Sequence, residues 1–181
     1  MDLYSRKIVG WEIHEREASD LAAQLVRRAC LAESIASQPL VLHSDNGSPM
    51  KGASMLETLH QLGVMSSFSR LRVSNDNAYA ESLFRICKYR PDYPASGFAT
   101  IKDARAWVLS FSRWYNTKHK HSGLKFKTPE QRHTGEASVI LEHRQQVYWE
   151  ARARHPNRWS GETRNWELPD EGLVEPRERT V

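Results

Sequence analysis

No stretch of this 181-residue chain approaches the run of about twenty apolar residues that a membrane helix needs, so a membrane-spanning helix is excluded. Residues 1–13 mix charged with apolar positions, which is not the h-region of a targeting segment. Cysteine is scarce: Cys30 and Cys87 are the only two, which excludes a disulfide framework. Both fall in segments that read as helices, where they suit small buried hydrophobes in a reducing cytosol. Histidines and cysteines at zinc-finger spacing are missing. So are internal repeats and low-complexity tracts. What is present is an ordinary globular composition, 39% hydrophobic, enough to bury the core of one domain with appendages.

Net charge is only +4, but it is unevenly spread. Residues 1–99 are balanced, with 11 basic and 11 acidic side chains. Residues 100–160 carry 12 basic against 5 acidic, an excess of +7, and residues 161–181 carry −3. The basic stretch also holds His119, His121, His133, His143 and His155. It fits the footprint of a phosphate-backbone partner, and equally a solvated helical surface.

Residues 3–13 read as two short strands around a turn near Ser5–Lys7. Ser19 offers a cap for a helix over about Asp20–Ser34, with Leu21, Leu25, Val26, Ala29 and Cys30 on one face. Leu40–Leu42 is wholly apolar and fits a strand buried on both faces. A helix over about Lys51–Leu62 should stop at Gly63, and residues 64–69 suit an edge strand. Asn75, Asp76 and Asn77 offer capping side chains for a helix from about Ala78 to Tyr89. Thr100 and Asp103 begin a helix whose stripe runs through Ala104, Trp107, Val108, Phe111, Trp114 and Tyr115, read as core. Thr128–Pro129 opens a short helix, and a last helix covers about Ala137–Ala153. Alternating strands and helices make the class α/β, and the opening hairpin makes the sheet mixed.

Two acids stand out by position. Asp45 follows a buried strand, where open α/β sheets present ligand-binding groups. Glu81 lies in the first turns of a helix, and Lys88 is seven residues on, on the same face. Alone, a strand-end aspartate more often serves a turn, a helix-start glutamate the helix dipole, and a lysine the solvent. Converging carboxylates would instead suit phosphodiester chemistry. Two hard cations about 3.5–4 Å apart activate the nucleophile and stabilise the leaving oxygen, and carboxylate oxygens hold them.

Thirty-five residues separate Asp45 from Glu81. With HSDNG at 43–47, SNDNAYAES at 74–82, Lys88, WYN at 114–116, HSGL at 121–124 and TPEQR at 128–132, the chain resembles the DDE insertion-sequence transposases and retroviral integrases. The resemblance covers nearly all of residues 1–133. It implies an RNase H-like mixed sheet flanked by helices, with residues 134–181 as a helical and irregular C-terminal extension. It implies Asp45 and Glu81 as catalytic metal ligands brought close in space, a two-ion Mg²⁺ (or Mn²⁺) centre, and DNA as partner. Lys88, Lys118, Lys120, Lys125 and Lys127 are then the expected DNA contacts.

The family's first aspartate lies one strand before this hairpin and has no counterpart here. Asp2 falls instead on the family's hairpin aspartate, a turn position. The chain is therefore expected to be an N-terminally truncated transposase fragment, inactive alone, acting as a homo-oligomer or in mixed complexes with full-length transposase. Its place is the cytoplasm, beside the nucleoid, with no membrane association. The alternatives are a non-catalytic DNA-binding or assembly fragment, and an RNase H-like nuclease unrelated to transposition, against which the five motifs argue.

Overall fold

The structure is a computed structural model and describes residues 1–35, 39–70 and 74–168. The Asn75 side chain and the acidic residues beyond 168 lie outside the described residues. Two compact units are present. One runs over residues 8–111; the other joins Asp2–Lys7 to residues 112–168.

The first unit begins with α1 (Ser19–Ala32) and continues through β1 (Leu40–Ser44), α2 (Ser48–Lys51), α3 (Ala53–Leu62) and β2 (Val64–Phe68). The strands pair in parallel, Leu40 opposite Val64 and Ser44 opposite Phe68. Parallel neighbours cannot be joined by a tight hairpin, so α2 and α3 form the crossover. Gly63, at φ +66°, ends α3 in the left-handed region, which lets the chain enter β2 at once. The core gathers Ala23 and Cys30 from α1, Met55 and Leu59 from α3, and Val64 from β2, with Leu40 and Leu42 packed against them. Burial pushes the Cys30 thiol up from its ordinary pKa, as expected of an inert packing residue.

Three expectations change. Val41 is 52% exposed, so β1 is covered on one face and not on both. The opening hairpin does not form, and among the described residues the only sheet is the two-stranded parallel one. Asp2 N–H instead donates to Lys7 O at 2.8 Å, closing a turn. Residues beyond it run close to α1: a Cβ on Gly10 would stand 3.0 Å from Leu25 Cδ1. An extended segment joins a ladder only where a lateral neighbour accepts it, and here packing against a helix takes precedence. The caps also differ. Ala18, not Ser19, is the N-cap of α1, and the Ser19 hydroxyl accepts Met55 N–H at 3.1 Å, tying α1 to α3. Asn77 precedes α4 (Ala78–Lys88) without a side-chain cap bond.

After α4 the loop folds onto α5 (Ile101–Thr117), with Trp107 Nε1 donating to Asp92 O at 2.9 Å and the Tyr93 ring edge-on to Trp107 at 5.2 Å. Thr100 Oγ1 accepts Asp103 N–H at 3.1 Å, as the sequence suggested. Along α5, Ala104, Phe111 and Tyr115 are buried.

In the second unit, α6 (Pro129–His133) opens with a complete capping box between Thr128 and Gln131, and α7 (Glu136–Arg154) follows Gly135. The segment after α7 returns to it. Trp166 is buried, with Tyr148 edge-on at 5.4 Å and the Arg144 guanidinium over its ring at 4.7 Å. No helix among the described residues is long and apolar enough to cross a membrane.

Candidate functional site

Asp45 hangs from the exit of β1, exposed, its Oδ1 accepting Gly47 N–H at 3.1 Å. That exit is firmly held. Ser69 N–H donates to Ser44 O at 2.9 Å, and Asn46 Nδ2 donates to Ser69 O at 2.6 Å. His43 bridges the strands, Nδ1 lying 3.0 Å from Ser67 Oγ and Nε2 3.3 Å from Ser69 Oγ. Parallel pairing thus brings both strand ends to one edge, and side chains lock them there.

The same edge fixes the start of α4. Asp76, in the 3₁₀ turn Ser74–Asn77, accepts the Arg70 backbone N–H at 2.7 Å and binds the guanidinium at 3.0 and 2.8 Å. The Arg70 side-chain hydrogen bonds hold the Asp76 carboxyl down to about 2, with the backbone bond adding and His43 contributing electrostatically. Asp76 is therefore a latch between the residue after β2 and the turn before α4. Glu81 follows in the first turn of α4, exposed, and Lys88 stands exposed two turns along.

The donor set limits what metal this region can hold. Asp45 and Glu81 are exposed carboxylates, while Asp76 is committed to Arg70. Among the described residues no three of His, Cys, Asp and Glu converge as a metal-holding group. Exposed carboxylates are hard oxygen donors of the type that Mg²⁺ takes. Asp2 serves its own turn: it accepts the Ser5 backbone N–H at 3.0 Å, the Tyr4 N–H at 3.3 Å and the Ser5 hydroxyl, and lies 3.5 Å from His133 Nδ1. Burial raises its pKa, but these hydrogen bonds outweigh burial and leave it lowered.

The expected basic contacts of the second unit divide. Lys118 and Lys120 are exposed. Lys125 is half-buried and donates to Asn165 O at 3.2 Å. Lys127 is buried, at 3% exposure. His119 and His121 pack their rings together at 4.4 Å, against Tyr115, whose burial pushes its hydroxyl up to about 12. Sequence reasoning missed Arg70 and Arg144. Arg70 pairs six residues away around a turn, a spacing with no helical signal. Arg144 sits mid-helix among other charges, and only its contacts distinguish it.

Comparison with known proteins adds a consistent set of likenesses. Two family models, both described as Integrase core domain, match residues 1–73 and 62–129. The transposase for insertion sequence element IS904 of Lactococcus lactis is 37% identical over 131 residues, covering 71% of this chain and 51% of that protein. The putative transposase InsK for element IS150 of Escherichia coli is 25% identical over 148 residues, covering 82% and 48%. The catalytic core domain of BIV integrase superposes with a TM-score of 0.43 at 20% identity, over 76% of this chain and 80% of that one. The chain spans about half the length of the curated relatives it matches.

Proposed function

Because this chain belongs to the integrase-core family of insertion-sequence transposases, we propose that it is part of an enzyme that cuts and joins DNA strands by metal-assisted phosphoryl transfer. The observations that support the reading are Asp45 at a locked strand exit and Glu81 in the first turn of a helix whose preceding turn is latched to the residue after β2. In this reading residues 1–133 are an RNase H-like core, residues 134–181 are an extension, and the two carboxylates lie within reach of one ion. Divalent metal, the cofactor of integrase cores, would supply charge stabilisation at the reacting phosphate; Asp45 and Glu81 would hold it. Lys88, on the Glu81 face, would contact a phosphate near the reacting one, and Lys118 and Lys120 would add backbone contacts.

By itself the chain is expected to be inactive, since the chemistry uses two ions and among the described residues no third metal-ligating side chain groups with Asp45 and Glu81. That favours a second reading beside the first: a DNA-bound, non-catalytic partner in homo-oligomers or mixed complexes with full-length transposase, beside the nucleoid. One experiment addresses both. Residues 1–181 are assayed for donor cleavage and strand joining with Mg²⁺ and Mn²⁺, alone and mixed with a full-length relative, and Mn²⁺ binding is followed by its paramagnetic signal. Expected are no strand joining alone and weak ion binding that Asp45→Ala and Glu81→Ala each abolish. Ion binding indifferent to both substitutions would sink the site assignment. Joining by the chain alone, lost in Asp45→Ala, would overturn the inactive reading.

A further inference from the structure

The segment after α7 lies along one row of that helix. Arg144, Tyr148 and Arg152 are spaced four apart, so they share a face over about 12 Å. In the middle of the row, Tyr148 meets Trp159 edge-on at 5.8 Å and Trp166 at 5.4 Å. At one end, Arg144 lies over the Trp166 ring at 4.7 Å, and its Nη1 donates to Lys125 O at 3.0 Å. Lys125 Nζ in turn donates to Asn165 O at 3.2 Å. At the other end, Arg152 Nη1 donates to Glu162 Oε2 at 2.9 Å. Three cations of the basic stretch, Lys125, Arg144 and Arg152, are thus engaged by the segment that follows them, and all three are half-buried.

The engagement is weak in kind. Among the described residues only Arg152 meets a carboxylate, and the Glu162 side chain that supplies it is 90% exposed, a setting where ion pairs contribute little. Lys125 meets a neutral carbonyl, and Arg144 a carbonyl and a ring face. Trp166 is 5% exposed, yet its Nε1 is sealed without a hydrogen-bond partner among the described residues, and a buried donor left unpaired is costly. The Arg164 guanidinium stands 5.6 Å from the same ring, so two like charges share it. A phosphate offers these cations full opposite charge and, to a guanidinium, two parallel hydrogen bonds. Lifting the segment also returns the Trp166 Nε1 to water.

We propose, on the DNA reading above, that residues 156–167 are a strap that masks Lys125, Arg144 and Arg152, and that backbone phosphates of DNA take these cations by displacing it. Lys118 and Lys120 are exposed and remain open to a first contact. Until the strap lifts, affinity is held below what the +7 excess of residues 100–160 would give.

The test uses residues 1–181, unaltered and with Trp166→Ala, which removes the ring under Arg144 and beside Tyr148. Binding to a short random-sequence duplex is measured against salt. Trp166→Ala should bind severalfold tighter at low salt, with a log–log slope steeper by about two to three, one for each cation unmasked. Adding Arg144→Gln and Arg152→Gln to Trp166→Ala should return both values toward those of the unaltered chain. In the unaltered chain, hydrogen exchange at the backbone amides of the strap should quicken when the duplex is added. That readout needs no substitution, so it decides if Trp166→Ala does not fold. Equal or weaker binding by a Trp166→Ala chain that is folded by circular dichroism, or strap amides that slow or stay unchanged on binding, overturns the strap and leaves the DNA reading standing. Binding by neither chain at low salt removes the DNA reading and the strap's competitor with it.

Discussion

His121 packs against His119 and Tyr115, and its Nε2 is sealed from solvent without a hydrogen-bond partner. Burial, helped by the positive charges of His119 and Arg6, holds its pKa down to about 4. In the unfolded chain the ring titrates at the ordinary value near 6.5. Between those values the unfolded state binds the extra proton, so stability falls as pH drops through 6.5 and levels off near 4. Allowing for partial solvent exposure, the loss is about 2 kcal/mol. His121→Phe keeps a ring in place and should flatten that limb of the profile, read as the urea midpoint between about pH 7 and about pH 4.5. An unchanged slope would show that another group carries it. Asp76 works in the opposite sense. Its carboxyl is lowered to about 2 from 3.8, so its stabilising latch persists above 3.8 and is lost only as pH falls through about 2. The acid limb of a mildly acidic titration therefore belongs to His121 and not to the latch.

Among the elements, the crossover joining the two strands depends on one close approach. The Ser19 hydroxyl takes Met55 N–H, and Gly52 is where that hydroxyl leaves no room for a Cβ. Gly52 has φ −67°, so its requirement is space and not backbone freedom. Gly52→Ala should cost about 1–3 kcal/mol, because the clash falls both on the Ser19 hydroxyl, held by its own hydrogen bond, and on the Ser19 Cβ. Ser19→Gly, which removes both clashing atoms, combined with Gly52→Ala should recover part of that loss; urea unfolding of the single and double variants measures it, and strict additivity would refute the coupling. In the second unit, the capping box of α6 satisfies two backbone groups reciprocally through Thr128 and Gln131. Thr128→Ala should lower stability by about 1 kcal/mol on the same measurement.

Across the whole molecule, the sheet presents Val41 and Met65 side by side in register, 52% and 58% exposed. An apolar pair on a two-stranded sheet invites association on heating. Val41→Thr with Met65→Lys should raise the onset temperature of light scattering while leaving the circular dichroism spectrum intact. An unchanged onset would place the sticky surface elsewhere. The likeness to the integrase core runs through both units, one family model matching residues 1–73 and the other residues 62–129.

What the sequence determined by itself is local. The start of α5 at Thr100 and Asp103, its stripe ending in Tyr115, the Thr128–Gln131 box and the stop at Gly63 are each written within a few residues, because helix period and capping act over one or two turns. The 35-residue interval between Asp45 and Glu81 was legible in the same way, as a count. Tertiary structure decided which partner each polar group found. Ser19 was free to cap its own helix and bonded Met55; Asp76 was free to cap α4 and took Arg70. Leu40–Leu42 read as fully buried, yet Val41 faces outward, and Lys127 read as a surface contact, yet its stem is enclosed. Burial depends on what lies across the fold, and those residues are distant along the chain, so no local pattern encodes them.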